Sequence, residues 1–154
     1  MLLLPSMTFG KTSPRGRVVF ALAVSFLGLL GTGIGCGGNN DPRPATWAYV
    51  STAILEPSCA TANCHSAIAQ RASVDLSTRA AGYKSLVGRE YVISKELGDA
   101  LIPPITTPEE RLERSSVPKL MRAVGNLRMP PDLPLPEPDI VLFENWILAG
   151  AVND

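Results

Sequence analysis

The sequence predicts an all-α fold, on three observations. Apolar residues recur at helical spacing in several segments, no stretch carries a strand-like alternation of any length, and the longest irregular stretch is crowded with proline. Trp47, Val50 and Ile54 place a first amphipathic helix at about Thr46 to Leu55, ending before Pro57. The small residues Ser66 to Ala72 are expected to be helical. Leu76, Ala80, Tyr83 and Val87 define a further helix with Ser77 as N-cap and Gly88 as a left-handed stop. From Arg89 to Ile105 no period is clean. Thr107-Pro108-Glu109-Glu110 reads as a capping box opening a short polar helix to about Arg114. Ser116 is expected to cap the next helix, with Leu120, Met121 and Val124 on one face and Gly125 as terminator. Five prolines between Met129 and Pro138 keep that stretch extended and stiff. The last helix, Asp139 to Ala149, carries Ile140, Val141, Leu142, Phe143, Trp146, Ile147 and Leu148 around nearly its whole circumference, so it is expected to be buried on most sides.

Composition excludes several classes. The 154 residues hold 14 Lys plus Arg against 14 Asp plus Glu and few aromatic residues, which argues against a nucleic-acid binder that neutralises phosphates and stacks bases. With 45% hydrophobic residues the chain is not disordered, and 13 glycines are too few for a collagenous one.

Residues 1–35 differ from the rest. They carry Lys11, Arg15 and Arg17, no acidic residue, and then the apolar run Val18 to Leu30, which fades into Gly31-Thr32-Gly33-Ile34-Gly35 before Cys36. A basic region, a short apolar run and small residues form a secretory signal, and the run is shorter than the roughly 20 residues that span a bilayer comfortably. Ile34-Gly35-Cys36 resembles a bacterial lipoprotein cleavage site, with Gly33 where that motif usually has Leu. Cys36 is then the lipidation candidate, and the lipid tethers the chain to a membrane without spanning it. Residues 36–45, with Gly37 to Pro44 reading GGNNDPRP, are a polar linker ahead of a globular domain at 46–154. The exported compartment is oxidising, so the remaining Cys59 and Cys64 need a reason to be there.

Cys59-Ala60-Thr61-Ala62-Asn63-Cys64-His65 supplies one reason. Two cysteines with a histidine directly after the second can hold a c-type haem, the thiols adding across its two vinyl groups and the imidazole reaching the iron. Two residues usually separate the cysteines; here four do, so the extra residues must loop outward if both sulfurs are to attach. His65 is the chain's one histidine. The opposite face of the iron then stays open or takes a methionine, since the chain has no other histidine. Met1 and Met7 leave with the signal, so the choice lies between Met121 and Met129. Met121 keeps a helical period with Leu120 and Val124, which a core role explains. Met129 serves no period and precedes Pro130-Pro131, where a stiff loop can hold a thioether in place with little entropy left to lose.

In order along the chain, Glu56-Pro57-Ser58-Cys59, the Cys-Cys-His segment, Val74-Asp75-Leu76-Ser77, Leu120 to Val124, Arg128-Met129-Pro130-Pro131 and the closing Trp146 to Ala151 resemble small single-haem c-type cytochrome domains of bacterial lipoproteins. The resemblance covers roughly Trp47 to Val152 and departs at the four-residue spacing and across Arg89 to Arg114. It implies a cytochrome c-like domain with Cys59 and Cys64 as attachment points, His65 as proximal ligand and Met129 as distal ligand. It implies, too, that the first and last helices pack against each other beside the haem. The function it implies is single-electron transfer between redox partner proteins, not catalysis, in a membrane-anchored lipoprotein of the periplasm or cell surface. The absence of Asp after Cys36 favours the outer membrane. A small proline-rich domain buries a limited share of its surface, and a covalent haem would supply an apolar centre.

Other readings of the same residues stay open. Cys59 and Cys64 can pair as a disulfide in a haem-free structural or interaction lipoprotein. A zinc site would need a fourth ligand. Arg71, Arg79, Arg122 and Arg128 could each meet a haem propionate, and nothing in the sequence selects one.

Overall fold

Trp47 and Val50 bury one face of the first helix, and Ile54 and Leu55 bury the next stretch of it. Leu55 lies five positions after Val50, an interval out of step with a 3.6-residue turn and closer to a wider one. The computed structural model, which describes residues 41–100, 104, 105 and 107–154, resolves this with a π-helical turn. Helix α1 (Trp47–Val50) runs into the π turn Ser51–Leu55 and on into α2 (Glu56–Cys59). The expected stop before Pro57 is therefore wrong. The ring sits in the first turn of α2, where the chain leaves the wide turn and a missing N–H breaks no ladder. Thr46 caps α1, accepting from the Tyr49 N–H at 3.3 Å.

Ser66 to Ala72 is not a helix. Gln70 N–H reaches Ser66 O at 3.0 Å, but the turn does not propagate: Gln70, Ala72 and Ser73 all take positive φ, around a 3-10 turn Arg71–Ser73. Helix α3 (Arg79–Leu86) follows, capped by Thr78 rather than Ser77. Ser77 is occupied: its hydroxyl and N–H both bond Asp75 Oδ1, at 2.6 and 2.9 Å, and hold that carboxyl below its usual pKa. Gly88 does not end α3 in a left-handed conformation; instead its backbone lies so close to Lys84 O that a Cβ would come within 2.5 Å. Val92, Ile93 and Ser94 are then buried without a helical period before a 3-10 segment, Lys95–Ala100.

Helix α4 (Pro108–Arg114) starts as expected, with Thr107 Oγ1 accepting from Glu110 N at 3.1 Å. Helix α5 (Ser116–Arg122) has Ser115, not Ser116, at its cap position, and it stops two residues short of Val124, which is extended and exposed. Gly125 does take φ +65°. Helix α6 (Glu137–Leu148) begins earlier than expected, with Pro138 in its first turn, and buries Ile140, Leu142, Phe143, Trp146 and Ile147. Among the described residues the fold is all-α, with no strand.

The core centres on the meeting of α1 and α6. Trp47 and Trp146, both fully buried, lie 4.8 Å apart by ring centroid at 32°, with Phe143 and Tyr83 packed on Trp146 at 5.5 and 6.4 Å. Each indole N–H is satisfied, Trp47 by Arg79 O and Trp146 by Val152 O, both at 3.0 Å. Gly82 lets α3 approach Trp47: a Cβ there would sit 3.2 Å from the indole. Arg122 ties α5 to α6 through Glu137 and Glu144, and Arg43 bonds both Asp41 and Asp139.

Ser115 joins three segments. Its fully buried hydroxyl accepts from the Ile93 N–H at 2.9 Å and donates to Arg111 O at 2.8 Å. Ser115→Ala leaves that N–H unpaired in the interior and is expected to cost about 1–3 kcal/mol, read as a lower urea midpoint at unchanged m value.

The first and last helices do pack together, as expected. The signal segment 1–35, Cys36 and the start of the linker lie outside the described residues. Within the described residues no helix is long and apolar enough to cross a membrane.

Candidate functional site

The segment from Cys59 to His65 leaves the end of α2 and folds back on itself. The His65 N–H bonds Cys59 O at 3.1 Å, closing a loop that returns the histidine to the helix end it left. Between them Thr61, Ala62 and Asn63 are exposed, so the additional residues bulge into solvent while Cys59 and Cys64 stay half-buried. Further backbone bonds fix the far side: Cys64 N–H to Thr61 O at 3.0 Å, Arg71 N–H to Cys64 O at 3.0 Å and Leu76 N–H to His65 O at 2.7 Å. The left-handed residues 70, 72 and 73 belong to this bracing. Non-glycine residues in such conformations cost on the order of 1–3 kcal/mol each and persist where surrounding bonds hold them.

Cys59, Cys64 and His65 line a cavity of about 320 Å³. Leu55, Val74, Leu76, Leu86 and Tyr91 line it as well, with Val117 and Leu120 from α5. Met121, Met129, Pro130 and Pro131 also line it. The Met129 loop is hung from α5 by its N–H to Leu120 O at 3.0 Å. The size falls at the small end of the range for ligand pockets, and the lining is almost wholly apolar, as such pockets usually are.

The sequence-derived site residues Cys59, Cys64, His65 and Met129 thus meet at one cavity, although 64 positions separate the last two. Met121 meets them as well. Its buried helical position, which the period explains, also faces this cavity. Met129 is 41% exposed and Met121 4%, so one thioether sits at the mouth and the other deeper. Phe143 and Trp146 are core residues that do not line the cavity.

The polar groups of the site are few. His65 Nδ1 is buried and has no hydrogen-bond partner among the described residues. Cys59 and Cys64 are both free thiols. Burial, with Cys64 as a lesser contributor, pushes the Cys59 thiol up to about 11. The thiolate is the reacting form, so at pH 8 in cofactor-free protein Cys59 is expected to alkylate about a hundredfold more slowly than in the urea-unfolded chain, by peptide-resolved mass spectrometry. The difference should shrink as the pH rises toward 11, because the folded protein then ionises as well.

Two thiols, one imidazole and two thioethers around an apolar space form a donor set that fits a covalently attached haem: soft and nitrogen ligands for iron, nucleophilic sulfurs for attachment, and an apolar lining for the ring. Among the described residues no group of three His, Cys, Asp or Glu side chains is placed to hold a metal ion by itself.

No protein-family model, curated protein or solved structure matches this chain. The functional reading therefore rests on the site itself.

Proposed function

We propose that this protein is an exported, lipid-anchored monohaem c-type cytochrome that passes single electrons between partner proteins at a cell envelope. The observation that carries the reading is the convergence of Cys59, Cys64, His65 and Met129 on one apolar cavity. Haem c, when bound, supplies a one-electron ferric/ferrous couple. The protein's part is to hold and shield it. Cys59 and Cys64 would give the two attachment sulfurs, and His65 and Met129 would hold the iron as proximal and distal ligands. A thioether favours the ferrous form, so a His and Met pair places the potential comparatively high within the range open to haem proteins.

The apolar Leu55, Val74, Leu76 and Leu86 line the cavity and would help keep water from the ring. On the loop that carries Met129, exposed Val124, Leu127 and Leu133 offer a partner protein an apolar surface. No side chain here needs to take or give a proton, and no substrate turnover is required of the fold. Lipidation at Cys36 would keep the domain at the membrane, the outer one favoured, on a short polar linker.

The test is a denaturing gel stained for haem-dependent peroxidase activity, run on the full chain expressed in a host that matures c-type haems. Covalent haem survives denaturation and stains; a Cys59→Ala and Cys64→Ala double variant should not. An unstained wild-type band leaves the haem-free lipoprotein with a Cys59 to Cys64 disulfide as the reading.

A further inference from the structure

We propose that Arg71 anchors the anionic edge of the cavity's ligand; on the reading above, which this inference rests on, that edge is a propionate carboxylate of the haem. Arg71 lines the cavity and, His65 apart, is the one ionisable cation among its lining residues. A neutral apolar ligand would have no use for a guanidinium at an otherwise apolar wall. A flat apolar ligand with a carboxylate at its rim would, since the guanidinium fork matches a carboxylate with two parallel hydrogen bonds.

The other arginines that the sequence leaves in contention are engaged. Arg79 donates to Asp154 O at 2.7 Å. Arg122 is shared between Glu144 and Glu137, and Arg128 donates to Pro130 O and Pro131 O at 3.3 and 3.0 Å. The Arg71 guanidinium has no hydrogen bond or ion pair among the described residues.

Its root is nonetheless fixed. The Arg71 N–H bonds Cys64 O, the Val74 N–H bonds Arg71 O at 3.1 Å, and Gln70 and Ala72 flank it in left-handed conformations that only a held backbone keeps. The turn that presents Cys64 and His65 therefore also presents Arg71, with the side chain exposed and free at its tip. A sequence-fixed base and an unengaged fork at the cavity edge make a binding arm.

The test uses the matured full-length holoprotein with Arg71→Gln, Arg71→Lys and, as a charge control off the cavity, Arg89→Gln. The readouts are the resonance Raman band for propionate bending, which follows hydrogen bonding to the carboxylate, and the reduction potential. Arg71→Gln should displace the band and lower the potential, because losing a positive charge near the iron favours the ferric form. Arg71→Lys should recover the potential while the band stays displaced, since an ammonium keeps the charge and loses the fork. Arg89→Gln should move neither.

An Arg71→Gln band that overlays the wild type overturns the proposal, even if the potential moves, and so does an equal response from Arg89→Gln. A red protein with those results sinks only this inference. A protein that takes up no haem sinks the cytochrome reading and this inference together.

Discussion

Met129→Ala is expected to abolish the sulfur-to-iron charge-transfer band of the ferric protein and to lower its potential by a substantial part of the roughly 0.8 V over which axial ligation and surroundings move haem potentials. The thioether stabilises ferrous iron, so its loss favours the ferric state and the sign is downward. The companion change, Met121→Leu, is close to volume-conserving in a buried position and should leave band and potential in place at a stability cost under about 1.5 kcal/mol. The pair matters because both methionines line the cavity. If Met121→Leu removes the band and Met129→Ala does not, the distal assignment passes to Met121. Absence of the band from the wild-type ferric protein would contradict methionine ligation.

Trp146→Ala is expected to be the most destabilising single change, at about 3–5 kcal/mol, or roughly 10–20 °C in melting temperature. Trp146 is fully buried, stacks on Trp47, touches Phe143 and Tyr83, and satisfies Val152 O. Truncation opens a hole where α1 and α6 meet and leaves that carbonyl unpaired. Domains of this kind have only about 5–15 kcal/mol in total, so the variant should sit near the edge of folding. Trp146→Phe, which keeps ring packing but loses the indole N–H, should recover most of the loss. Thermal and urea unfolding of the three proteins decides it. A truncation costing less than about 1 kcal/mol would mean that the aromatic centre is not the support described.

The helices were legible where periodicity and capping chemistry agree. The Thr107 cap and the apolar wrap of α6 could be read from letters because each is set within a few residues. Pro57 misleads because its usual effect on the preceding residue is overridden by the π turn Ser51–Leu55, which no residue type marks. Ser66 to Ala72 misleads in the opposite direction. Its small residues tolerate a helix, but Ile68 is 96% exposed, so a helix there would bury almost nothing. The left-handed residues that replace it are Gln70, Ala72 and Ser73, with no glycine or asparagine to announce them.

The site divides along the same line. Cys59, Cys64 and His65 are close in sequence and carry recognisable chemistry, so they could be named together. Met129 could be picked out because it breaks a period in a proline-rich stretch. That Met121 shares the cavity was hidden, since a helical pattern says which face points inward and not whether the interior there is packed or open. Arg71 was one of four arginines with equal standing until the engagements of the other three separated it.

The central claim is that Cys59 and Cys64 carry a haem whose iron meets His65. A pyridine haemochrome spectrum of purified, matured protein, with the haem counted against protein, tests it most directly. One haem per chain is expected, not extractable by acid and organic solvent, with the α-band of a porphyrin joined through two saturated side chains. A colourless protein, or haem that extracts freely and keeps both vinyl groups, would contradict it.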